Sequence, residues 1–258
     1  MRAMLRLLRE GPAPTGGASI LTLVHASETI LVALRRSQNA QRFTLRVRFA
    51  KRDAVLTMPQ RASLRDARDF AQRHAAWIVA RLNRLPETIP FAHGSVAPLR
   101  GVDHLIAHHP DRRGVTWIES RDDLEIPFAL CVAGQAAHVH RRVQDHLKRE
   151  ARSDLEEAVA RHTAALSLPP RGVGLRDPIS RWGSCSASGS LNFSWRLIMA
   201  PPFVLDYLAA HEVAHLVHLD HSPRFWKLTR RLCPETNHAE AWLSAHGAHL
   251  HKYGAKAR

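Results

Sequence analysis

The sequence predicts an α+β protein, and three observations carry that expectation. Near the N-terminus apolar and polar residues alternate one for one. After residue 135 apolar residues recur every fourth position. From residue 211 to 221, four histidines and a glutamate share eleven positions of a helix-like stretch. A period of two marks a sheet with one buried face, and a period near 3.6 marks a helix with one buried stripe.

In chain order, residues 1–19 are Gly/Pro-rich after a short basic start and read as a flexible tail. LTLV, ETILVAL and RFTLRVRFA then read as strands, with Phe43, Leu45, Val47 and Phe49 alternating with polar partners. Ser63, with Asp66 three residues on, looks like the start of one helix. Phe70, His74, Trp77, Ile78 and Leu82 fall on one side of it, and Pro86 ends it. Residues 86–135 are irregular, with strand-like runs at VTWIES and FALCV, and read as the outer part of a sheet with its loops. The longest helical pattern covers about residues 135–166. Val139, Val143, Leu147, Ala151, Leu155 and Val159 make its core face, and Arg141, Arg142, Lys148, Arg149 and Arg152 make its outside basic. Beyond Pro169-Pro170, VGLRDPISRWGSCS and LNFSWRLIM flank a Gly189-Ser190 turn, the pattern of a hairpin. Pro201-Pro202 suits the first turn of the helix that follows.

Composition narrows the class of protein. No apolar run approaches the roughly 20 residues of a membrane helix. MRAMLRLLREG starts like a signal peptide but is interrupted by Arg6, Arg9 and Glu10 and lacks a small-residue cleavage site, so export is not expected. Cys131, Cys185 and Cys233 form no CxxC pair and no disulfide framework, which points to a reducing cytoplasm. The chain has 37 basic against 23 acidic residues, a formal charge of +14. Such an excess attracts polyanions, nucleic acid first, although neither an aromatic RNA-binding motif nor a zinc knuckle accompanies it.

The chemistry concentrates in HEVAHLVHLDHSPRFW, residues 211–226. His211 and His215 are one helical turn apart and can hold one ion between them. Glu212 is rotated about 100° from His211, so it misses the ion and reaches a water beside it. A catalytic zinc takes three protein ligands and leaves a fourth position to water. Ser222-Pro223 reads as the cap and first residue of a new helix, so His221 lies in the turn before it and can swing back. His218 competes as third ligand, but three ligands on one straight helix match a tetrahedron poorly, and His221 is favoured. Glu240 is a lesser candidate. Tyr207, on the same face as His211, can hydrogen-bond a developing oxyanion or simply pack. Arg181 can anchor an anionic substrate group or cap a strand end. Trp182 is expected as core or cleft wall, and Cys185 as a small packed thiol, since a fourth protein ligand would exclude water. The histidines of HGAHLHK read as a solvated tail.

SRWGSCS (180–186), the Gly189-to-Asn192 hairpin, the Pro201 helix start, DYLAAHEVAHL (206–216) and DHSPRFW (220–226) together resemble the YgjP-like metallopeptidase family. A looser likeness extends over residues 28–252 through AAWIVARL and PFAHGSVAPLRG. The sequence departs from the family pattern at Asp220, often Asn, and at Ala209-Ala210, usually bulkier. The resemblance implies a zincin-like fold in which a mixed or antiparallel sheet lays its edge strand over the H-E-x-x-H helix. It implies one Zn²⁺ per chain held by His211, His215 and His221, with Glu212 as general base. The expected organisation is a tail (1–19), a β-rich subdomain with one helix (20–135) and a metallohydrolase subdomain (136–258). A peptide or unfolded protein is the expected substrate. Because some relatives carry a UTP pyrophosphatase label, a nucleotide is the alternative; a nucleic-acid-associated or DNA-stimulated protease is another.

Overall fold

The structure is a computed structural model that describes residues 19–26, 28–48, 53–83, 87–121, 125–178 and 181–254. Residues 1–18 of the predicted tail, Phe49 and Pro86 lie outside these residues. The described residues form a mixed α+β protein of three sheets and six α-helices, and two compact units meet in sequence between Glu87 and Thr88.

In the first unit, β1 (Ile20–His25), β2 (Glu28–Ser37), β3 (Thr44–Arg48) and β4 (Asp53–Pro59) form a sheet in the order β1-β2-β4-β3. β2 and β4 are parallel and the other pairs antiparallel. Leu23, Ile30, Val32, Leu56 and Met58 line its buried face. Against them pack two helices, α1 (Leu64–Arg73) and α2 (Ala75–Asn83), where the sequence predicted one. Ser63 caps α1 by accepting from the Asp66 amide, as expected. The chain then breaks at His74 (φ −100°, ψ 9°). Ala67 and Ala71 of α1 and Ala75 and Ile78 of α2 are all buried. A bend at His74 lets this stripe follow a twisted sheet, which one straight helix would leave. The bend also turns Trp77 outward, 48% exposed, although its spacing had placed it on the core side.

The second unit has two sheets. β5 (Val96–Leu99), β6 (Val102–His109), β7 (Thr116–Ser120) and β8 (Phe128–Ala133) run in the order β5-β6-β8-β7. Ile106, Leu130 and Val132 share one core with α3 (Val139–Ala164), so the strands the sequence groups with the N-terminal part pack instead with the long helix. All six predicted core positions of α3 are buried. Each fully buried Val or Leu contributes about 1.5–3 kcal/mol, which makes this stripe the spine of the unit.

The other sheet is β9 (Gly172–Arg176), β10 (Gly183–Cys185) and β11 (Ser190–Ser194), in the order β10-β11-β9, with β10 at an edge. The predicted hairpin joins β10 to β11, and its turn uses Gly189 at φ +79°, a region other residues avoid. A 3-10 turn, Trp195–Met199, follows and is wholly buried. In it Arg196 pairs with Asp177 at 2.7 Å, stacks on Trp195 and donates to the carbonyls of Leu250 and Tyr253. Those bonds tie the end of the chain down. His251 is consequently only 7% exposed and stacks on Trp182, so the predicted solvated tail is in part a packed one.

Three helices complete the unit: α4 (Pro202–Ala214), α5 (Pro223–Leu232) and α6 (Thr236–His246). α4 is packed by α3, α5, α6 and β10 and is buried nearly all round, with Ala209 and Ala210 fully covered. Large side chains at these two positions would hold its neighbours away.

Candidate metal centre

α4 begins at Pro202, whose missing N–H is no loss in a first turn, and closes at His215, which has helical φ and ψ as the C-cap. The chain then tightens: Val217 and His218 both donate their amides to the Ala214 carbonyl. Asp220 accepts from the Ser222 amide, and Ser222 caps α5 by accepting from Phe225. This turn carries His221 back over α4. Its Nε2 lies 3.3 Å from His211 Nε2, and one nitrogen from each of His211, His215 and His221 falls within 4.8 Å of the others.

What surrounds His215 and His211 decides which nitrogen each of the two presents. His215 Nδ1 donates to the His218 carbonyl at 2.9 Å, leaving Nε2 with its lone pair. Tyr207 is buried; its hydroxyl donates to Glu240 Oε1 at 3.1 Å, and its oxygen lies 3.3 Å from His211 Nδ1. With the hydroxyl hydrogen given to Glu240, the phenol oxygen accepts from His211 Nδ1–H, and Nε2 of His211 is again the free one. Phe225, fully buried, is a common floor: it stacks on the His215 ring at 4.4 Å and meets the edges of the other two at 4.8–4.9 Å. Burial, with the neighbouring imidazoles second, pushes His211 down to about 4, so at neutral pH its ring is uncharged.

Glu212 lies beneath β10. It is 4% exposed, and its Oε2 is buried without a hydrogen-bond partner. Burial raises its carboxyl to about 7, against the opposing charge of Arg181. Gly183 makes this position available, because a Cβ there would stand 2.3 Å from Glu212 Oε1 and 2.7 Å from its Cγ. The cleft is lined by Gly183, Ser184, Cys185, Leu219, Glu212 and the three histidines. Arg181 is exposed at its approach, and Trp182 packs against the core. The Cys185 thiol donates to the Ser186 carbonyl, and burial holds it above its ordinary pKa. His218 contributes its carbonyl and Glu240 its carboxylate to the surroundings of the cluster; the imidazole of one and the carboxylate of the other stand outside it. Gly183, Phe225 and the His218 carbonyl carry no sequence signal of their own.

A model of the YgjP-like metallopeptidase domain matches residues 41–246, four-fifths of the chain. The chain belongs to the YgjP-like metallopeptidase family. No curated protein and no solved structure matches it at a significant level. Membership implies a metal ion, and the YgjP-like chain has donors that fit one. Three imidazoles converge beside a buried carboxylate oxygen that has nothing to bond. Any three atoms no more than 4.8 Å apart have a point within about 2.8 Å of all three, so small rotations bring each nitrogen to the ~2.0–2.1 Å of a metal–imidazole bond.

Proposed function

We propose that this YgjP-like protein is a zinc-dependent peptidase of the zincin type, with one Zn²⁺ held by His211, His215 and His221 and with Glu212 as general base. The observation that carries the reading is the convergence of three imidazole nitrogens next to the orphaned Oε2 of Glu212. All-nitrogen sites of this kind suit zinc, and three ligands leave room for water and substrate. When bound, the ion supplies Lewis acidity, acidifying a water and polarising the scissile carbonyl.

The chain's own residues do the remaining work. Glu212 accepts a proton from the attacking water and returns it to the leaving nitrogen, a transfer suited to a carboxyl with a pKa near neutrality. Gly183 sets how close that carboxylate stands to β10. Tyr207, held between His211 and Glu240, is read as a positioning residue that fixes the His211 ring. Arg181 is read as a contact for an anionic substrate group at the mouth of the cleft. Residence in the cytoplasm belongs to the same reading and rests on three unpaired cysteines. Among the described residues no helix is long and apolar enough to cross a membrane.

The test is to purify wild type and Glu212→Gln, measure zinc by elemental analysis, and assay both on a disordered protein and on UTP. Expected is close to one zinc per chain in both proteins, with proteolysis falling by about 10²–10⁴-fold in the variant. Pyrophosphate release from UTP without proteolysis would transfer the site to nucleotide chemistry, and equal activity of the two proteins would remove Glu212 from the mechanism.

A further inference from the structure

Two further hollows lead on from the metal cleft in the second unit, one adjoining the cleft and the other adjoining that one. One shares Gly183 and Ser184 with the cleft and is lined by Arg176, Arg181 and Asn192. The next shares Arg176 and Asp177 with it and reaches α3 at Lys148, Arg149 and Arg152. Four of these cations have no carboxylate partner among the described residues. Lys148 donates to Gln144, Arg149 to Thr116, and Arg176 only to the neighbouring Leu175 carbonyl; Arg181 faces the field of Glu212. Arg152 is paired with Glu156. The one carboxylate in the two hollows, Asp177, is taken by Arg196. A path of uncompensated positive charge thus leads from the basic outside of α3 to the edge of β10.

We propose that these hollows bind the acidic flank of a polypeptide substrate, so that the protein selects segments with Asp or Glu to one side of the cleaved bond. The inference rests on the peptidase reading of the metal cleft and names its substrate class. β10 is an edge strand, and a chain extended beside it would send alternate side chains to opposite faces. One set would turn towards α4. The other would turn towards Ser184 and Asn192, which face each other across β10 and β11, and towards the arginines beyond. Carboxylates there would gain charge-assisted bonds that Arg guanidinium groups form well. The aromatic residues of these hollows argue against a nucleic-acid strand. Trp195 and Phe193 are each 1% exposed, so no ring is available to stack a base.

The test uses the full chain carrying Glu212→Gln and two fluorescent peptides of equal length, a Glu-Gly repeat and a Gln-Gly repeat, with oligothymidine as third probe. Binding is read by anisotropy and repeated with Lys148→Gln/Arg149→Gln/Arg176→Gln added, all three being positions on or near the surface, with a melting curve to show the fold is kept. Expected is a preference of about tenfold or more for the Glu peptide, lost in the triple variant and at about 0.5 M salt. Equal binding of the two peptides would overturn the proposal. So would oligothymidine binding more tightly than the Glu peptide and losing that binding in the triple variant, because the hollows would then serve nucleic acid. Cleavage by wild type separates the two readings: no cleavage with the preference intact removes the peptidase, and cleavage of both peptides with equal binding removes only the acidic selectivity.

Discussion

His211, His215 and His221 meet where α4 turns into α5; His109, Glu119 and Cys131 meet across β6, β7 and β8. In both places three ligand-type atoms come within 4.8 Å of one another. The difference lies in where the protons are. In the second cluster the Cys131 thiol is fully buried, which with the charge of Glu119 pushes it up to about 11, and it donates its hydrogen to Glu119. The same carboxylate accepts from Trp117 Nε1 at 2.7 Å. The Cys131 and Glu119 side chains thus satisfy each other, His109 Nε2 is the member left buried without a partner, and a cation would first have to expel a thiol proton. In the histidine cluster His215 and His211 turn their hydrogens outward, to the His218 carbonyl and the Tyr207 oxygen, and their Nε2 lone pairs inward. Proximity of ligand atoms is therefore a weak criterion for a metal site. The inventory of hydrogens around them is the stronger one.

The comparison can be broken most directly by removing one member of each cluster. His211→Ala should lower bound zinc from near one per chain to a small fraction of it, at least about tenfold, while Cys131→Ser should leave it unchanged. Elemental analysis of both variants decides; zinc lost from Cys131→Ser would mean that the second cluster is a metal site after all. Next in size is Gly183→Ala. Its new Cβ would occupy the place of the Glu212 carboxylate, so hydrolysis should fall by about 10²-fold with zinc retained. A full rate would show that the carboxylate's position is immaterial. Tyr207→Phe sharpens the argument about hydrogens. Removing the hydroxyl frees His211 Nδ1 and Glu240 together and should weaken zinc affinity by about tenfold, measured by competition with a chelator.

His251 supplies the smallest effect and an internal control, a buried imidazole in neither cluster. Burial and the charge of Arg196 push it down to about 4. The unfolded chain therefore takes up a proton that the folded one refuses as pH falls below about 6.5. The sign follows: stability contributed by neutral His251 is present above pH 6.5 and is lost as the pH falls towards 4. His251→Phe should lose less melting temperature between pH 7.5 and 5 than wild type, and equal losses would mean that the imidazole charges in place.

Much of this was legible in the sequence, for reasons that separate cleanly by distance. The stripe of α3, the Ser63 and Ser222 caps and the Gly189 turn are local patterns, each settled by a few neighbouring residues. The convergence of His211, His215 and His221 is local as well, because a helix turn and a capped restart fix it within eleven residues. The bend at His74, the outward Trp77 and the burial of His251 answer to partners far along the chain, and spacing alone is silent about them. Tyr207 showed its face, but its partner Glu240 comes from another helix. The grouping of residues 96–133 with α3 depends on which face of a sheet a later helix covers.

Gly183 stands apart from all of these, since what it contributes is an empty volume. Twenty-nine positions separate it from Glu212 (212 − 183), and yet the two occupy what is in effect one site in space. In a set of related sequences the pair should change together or not at all. A side chain at 183 should be found only with a shorter or displaced acid at 212, and such chains should keep the histidines while having lost the hydrolysis. Residue 183 would then sort working members from inactive look-alikes that a search for the histidine motif alone would merge.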